Sequence, residues 1–188
     1  MNLSALSVRL YTRICVAAVL ALLVVPTATR AQLTISDDQT EAILTSEVGD
    51  ILIEEGASVT IDQAGAVVTI DSNNSVTTEV YDADGDNVNA TISNEAASNA
   101  TGVYLKPGNS GNLEVYGSIF VGEMDTELDK GANNYGILVG DVSDPEVFTG
   151  NITLGEYTTF TVRGDQSVGI AVYSVSVVRT FGADPSLD

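Results

Sequence analysis

From Gln32 onward the apolar residues come in short β-branched runs and not at helical spacing. Leu52-Ile53, Val59-Thr60-Ile61, Val67-Val68-Thr69-Ile70 and Val76-Thr77-Thr78-Glu79-Val80 open the series. Leu113 to Tyr116, Ser118 to Val121, Ile137 to Val139, Thr158 to Val162 and Ile170 to Val172 continue it. Gly56, Gly65 and Asp71-Ser72-Asn73-Asn74-Ser75 separate the early runs. Runs of this kind, bounded by Gly, Asn, Asp and Ser, predict strands joined by turns. The one stretch with any helical character is Asp38 to Ser46, and Met124 to Lys130 has room for a single turn of helix in a loop.

A peptide also recurs. Thr101-Gly102-Val103-Tyr104-Leu105 returns as Tyr135-Gly136-Ile137-Leu138-Val139 and as Val168-Gly169-Ile170-Ala171-Val172, with glycines 34 and 33 residues apart. The last two copies extend upstream without a gap, Lys130-Gly131-Ala132-Asn133-Asn134 lying over Arg163-Gly164-Asp165-Gln166-Ser167. Gly111-Asn112-Leu113 and Gly150-Asn151-Ile152 correspond at 39 residues. A period of this size marks a repeat architecture, in which one unit cannot bury its apolar row alone and stacked units share a core. The expected fold is all-β, a parallel β-solenoid of short coils. Gly at a fixed place supplies positive φ at a corner, and Asn and Asp tolerate the same conformation. An antiparallel sandwich also yields closely spaced short strands and is the competing fold.

Residues 1–31 have a different character. Arg9 and Arg13 precede an apolar run of 12, Ile14 to Val25, which Pro26 ends; Thr29-Arg30-Ala31 then offers small residues for cleavage. This is the plan of a secretory signal peptide, with an N-terminal membrane anchor as the alternative; the run falls short of the roughly 20 residues that span a bilayer. Its removal also removes Cys15, so the exported chain would have no disulfide and would depend on its core. The 157 residues from Gln32 hold 26 acidic and four basic side chains (Lys106, Lys130, Arg163, Arg179), a net charge of −22. Such a charge excludes nucleic acid as a partner, because phosphate binding needs Lys and Arg. The chain has no His, which removes Ser–His and Cys–His catalysis and His-ligated metals. The expected organisation is a signal-peptide helix over 1–31, a solenoid over 32–179 and an irregular tail over 180–188.

The signal peptide, Gly65-Ala66-Val67-Val68-Thr69-Ile70-Asp71-Ser72-Asn73-Asn74-Ser75-Val76, the two later copies of the repeat, Phe148-Thr149-Gly150-Asn151-Ile152-Thr153 and Phe160-Thr161-Val162-Arg163-Gly164-Asp165 together resemble the N-terminal part of an autotransporter passenger domain, from the type V secreted proteins of Gram-negative bacteria. The resemblance covers about 33–172. It implies a right-handed parallel β-helix, export, and display at the cell surface or release from it. It also implies a non-catalytic scaffold or adhesin stalk with a cell-surface or host ligand and no small-molecule substrate. The C-terminal translocator barrel of that family has no counterpart here, so the expectation is a truncated passenger held in the periplasm unless a barrel is linked to it.

Three features carry candidate chemistry. Asp82, Asp84 and Asp86 alternate in Asp82-Ala83-Asp84-Gly85-Asp86-Asn87, a pattern that can converge on calcium. The helix–loop–helix form of such a site fails, since Asn87 and Ser93 stand where Gly and Glu are needed; a looser site, and with it a calcium-dependent adhesive module, is one alternative function, against an acidic solvated turn. Arg163-Gly164-Asp165 is a tripeptide that some adhesion receptors read, but its alignment with Lys130-Gly131-Ala132 already explains it as a repeated corner. A carboxylate pair for glycoside hydrolysis is the third, supporting a carbohydrate-active enzyme as a further alternative; 26 acidic residues meet the required spacing by chance. Phe148, Phe160, Tyr135 and Tyr157 are expected in the core or between coils, not in a sugar platform.

Overall fold

The computed structural model describes residues 31–81, 88–123 and 131–173. Ala31 opens a compact unit, distinct from residues 1–30. Its described residues hold sixteen strands and one turn of helix. Sheet I is built from β1 (Gln32–Ile35), β3 (Asp50–Ile53), β6 (Val76–Thr78), β11 (Leu113–Val115) and β14 (Ile152–Leu154) in that order. Sheet II runs β4 (Ser58–Ile61), β9 (Thr91–Asn94), β12 (Ser118–Val121), β15 (Thr159–Val162). Sheet III runs β2 (Ile43–Leu44), β5 (Gly65–Ile70), β10 (Ala100–Leu105), β13 (Tyr135–Val139), β16 (Val168–Val172). Every pairing within these sheets is parallel. That sets aside the antiparallel sandwich.

The connectivity is cyclic. From β3 onward the chain visits sheets I, II and III in turn four times, ending in β16. Before that, β1, a parallel bridge from Gln39 to Val59 and β2 make a shorter first pass through the same three positions. One excursion leaves the cycle: between β6 and β9, β7 (Val80–Tyr81) and β8 (Val88–Asn89) pair antiparallel. The run read from sequence as a single strand, Val76 to Val80, is therefore divided between sheet I and this hairpin. Asp38 to Ser46, whose helical character in the sequence is weak, is divided in the same way. Gln39 is engaged in the bridge and Ile43–Leu44 in sheet III, which leaves only α1 (Thr45–Val48).

Alternation decides which side chains enter the core. In sheet III the ladders Val68–Val103–Ile137–Ile170 and Ile70–Leu105–Val139–Val172 face inward. Sheet II contributes Val59–Ile92–Ile119–Phe160 and sheet I Ile51–Val76–Leu113–Ile152. Members of these ladders from the middle passes are wholly buried. Each such side chain contributes about 1.5–3 kcal/mol by leaving water. The recurring peptides lie directly on one another, because Val103 pairs with Ile137 and Ile137 with Ile170.

Glycine plays two roles in the repeat. The expectation of positive φ holds at Gly131 (139°) and Gly164 (109°), the corner before sheet III. It does not hold at Gly102, Gly136 and Gly169, which lie inside strands. At Gly102 and Gly136 the need is for space, whereas Gly169, in the last strand, has open space around it. A Cβ on Gly102 would sit 2.6 Å from the carbonyl oxygen of Gly136, and one on Gly136 would sit 2.5 Å from that of Gly169.

Candidate functional site

Asp82, Asp84 and Asp86 lie outside the described residues, between the paired strands β7 and β8. Among the described residues no group of three metal-ligating side chains converges. No described helix is long and apolar enough to cross a membrane. The Arg163-Gly164-Asp165 backbone is committed to its neighbours: the Asp165 N–H donates to Gly131 O at 2.7 Å, and Arg163 O accepts from Asn134 Nδ2 at 2.7 Å.

The corner before sheet III carries a polar network that sequence reading assigned only to local turns. Asn134 is fully buried. Its Nδ2 donates to Ala97 O at 2.9 Å as well as to Arg163 O, and its Oδ1 accepts from the Ala100 N–H at 3.0 Å. One amide therefore ties three successive passes together. Asn94 fills a similar role, standing inward between Ile61 and Val121 and donating to Gly65 O at 2.8 Å. A second clamp fixes α1. Asp71 Oδ1 accepts from the Ser46 N–H at 2.8 Å and Oδ2 from Ser46 Oγ at 2.7 Å, and the buried Thr45 hydroxyl also reaches it. Partial burial opposes the Asp71 charge, but donation from Ser46 and Thr45 outweighs it and holds the carboxyl below its usual range.

The outer face of sheet III carries the most distinctive surface. Val103 and Leu105 turn inward, so Tyr104 between them turns outward; Leu138 does the same on β13, directly beside Tyr104. Tyr135 pairs with Val168, and Tyr173 follows five residues later, about 16 Å along the strand. Between these two lie Leu138 and Ala171, yet the Tyr135 and Tyr173 phenols come close enough to act on each other. The two long side chains thus lean together over the sheet, and Ala171, on its outer face, is only 8% exposed. The neighbouring Tyr173 phenol, with some burial, raises the Tyr135 phenol.

Tyr104, Tyr135, Leu138 and Tyr173, with Gly140, Asp141 and Val142, line an open depression of about 220 Å³. Its wall is a fixed turn, in which Asp141 Oδ1 accepts from the Ser143 N–H at 2.7 Å and from Ser143 Oγ at 2.8 Å. Those two bonds hold the Asp141 carboxyl below its ordinary value. Burial first, then the charges of Asp141 and Asp144, raise the Tyr104 phenol. Of the aromatics expected inside, Phe148 is fully buried and Phe160 packs against the core, whereas Tyr135 is on the outer face and Tyr157 is exposed. Alternation between Val103 and Leu105, and between Ile137 and Val139, was the signal in the sequence that would have turned Tyr104 and Leu138 outward. A larger hollow, about 410 Å³, lies along the first pass among Leu33, Ile35, Ile43 and Val48. It lies along the edge of β1 and β2, where sheets I and III begin among the described residues.

No protein-family model matches the chain, and neither a curated protein nor a solved structure matches it.

Proposed function

We propose that this protein is a non-catalytic, exported β-solenoid, a piece of an autotransporter passenger that acts as a surface scaffold or adhesin stalk. The observation that carries the reading is the in-register stacking of the repeated peptide, Val103 on Ile137 on Ile170, in a chain that revisits three parallel sheets in fixed order. An architecture of that kind gains length by adding units and keeps its outer surface free for loops and ligands. The winding is right-handed in this reading, as in parallel strand crossovers generally. The acidic surface keeps a long rod soluble and discourages association at its strand edges. Residues 1–31 direct export and are removed.

The test is expression of the full chain in a Gram-negative host, alone and fused upstream of a translocator barrel. The expected result is a mature N-terminus at Gln32, a periplasmic product from the chain alone, and a fusion product that external protease degrades on intact cells. An uncleaved cytoplasmic product, or a fusion that never becomes accessible to protease, would defeat the reading. Small-angle scattering from the purified product tests the solenoid separately, through the cross-section of a rod.

A further inference from the structure

We propose that the depression on the outer face of sheet III binds an alkylammonium group, a quaternary or methylated amine cation, between Tyr104, Tyr135 and Tyr173, with Asp141 as counter-charge at its rim. The inference is independent of the scaffold reading and concerns a bound ligand, not a substrate to be turned over.

Three observations converge on it. The first is the lining. Three phenol rings and Leu138 surround one concavity, and aromatic faces attract cations through their negative quadrupole. Tyr135 and Tyr173 reach this one lining from adjacent strands, so two of the rings already face the same concavity before any ligand arrives. The second is charge. The charged side chain in the lining is Asp141, and Asp144 follows in the same turn. Both carboxylates lie close enough to act on the Tyr104 phenol. The chain as a whole carries −19, so its field draws cations and repels anions. The third is size. About 220 Å³ falls below the roughly 300 Å³ at which pockets for drug-sized molecules begin, which suits a headgroup better than a run of sugars. The polar side-chain groups of the lining are phenols and a carboxylate, without the amide or guanidinium donors that would read a ring of sugar hydroxyls.

The chain lacks Trp, so its emission comes from seven tyrosines, three of them on this face, and the comparison with Tyr104→Leu isolates the contribution of the site. The experiment titrates tetramethylammonium chloride into the purified protein, with sodium chloride at matched ionic strength and N-acetylglucosamine as controls. A saturable change with tetramethylammonium alone is expected. Tyr104→Leu should weaken binding about three- to tenfold, the loss of one ring contact, whereas Tyr104→Phe should stay within about twofold because the ring remains. Asp141→Asn keeps an acceptor for the Ser143 turn and removes only the charge; it should weaken binding about threefold. Circular dichroism checks that each variant is folded, and Asp141→Asn, in an exposed turn, serves if Tyr104→Leu does not fold. Identical responses to the two salts, saturation by the sugar alone, or full-strength binding by folded Tyr104→Leu would each overturn the proposal.

Discussion

At the residue scale the corner before sheet III is held by groups whose roles differ although their types look interchangeable. Asn99, Asn133 and Gln166 take the same place in three passes, each with φ near +55 to +60°. Asn tolerates that conformation; Gln has no short polar group to compensate it. Gln166→Gly is therefore expected to stabilise the protein by about 0.5–1 kcal/mol, read as a shift in the urea midpoint. Asn134 sits one residue after Asn133 and acts through its side chain. Asn134→Ala strands the Ala100 N–H and two carbonyls in the interior and should cost about 3 kcal/mol or more, whereas Asn133→Ala, which loses only backbone tolerance, should cost about 1 kcal/mol. Equal losses in the two variants would show that the cross-pass amide contributes little. Both asparagines are visible in the sequence as one Asn-Asn pair. Nothing in that pair says which side chain turns inward, because that depends on the passes above and below.

At the element scale the polar clamp on α1 gives a pH dependence. The Asp71 carboxyl titrates below its usual range when folded, so its contribution is complete above about pH 4 and is lost as pH falls through the lowered value. Comparison of Asp71→Asn with the parent between pH 7 and pH 2 should show a lower melting temperature for the variant at neutral pH and convergence of the two curves in acid. A constant gap would mean that the charge is not what Ser46 and Thr45 recognise. The β7–β8 pair brings the ends of the Asp82–Asp84–Asp86 segment together, as a cation loop or a plain acidic turn would both require. If the segment gathers calcium, added calcium raises the melting temperature of the parent and not of Asp84→Ala; identical curves remove the site. The hairpin itself was hidden in the sequence. Val76 to Val80 reads as one β-branched run, and only the strand pairing shows that Glu79 begins the departure from sheet I.

At the scale of the whole molecule, burial grades from the middle passes to the last. Val139 is wholly buried, but Val172, the next member of its ladder, is 41% exposed. The same substitution should then cost different amounts along a ladder. Ile137→Ala, between two covering passes, is expected to cost about 3–4 kcal/mol, and Ile170→Ala, covered on one side by β13, about half that, both from equilibrium unfolding. Equal costs would indicate that something else shelters β16.

The sequence by itself determined the strand content, the repeat and the register of sheet III, since inward residues recur every two positions along a run and every 33 or 34 along the chain. Those are properties of short-range alternation and of stacked identical peptides, and both leave a linear trace. Only the tertiary structure decided that Gly102 and Gly136 serve close approach and not turning, that Asn134 and Asn94 bind across passes, and that Tyr104, Tyr135 and Tyr173 meet on one outer face. Each of these depends on distances between residues about 30 or more positions apart, which are fixed by how one pass settles on the next.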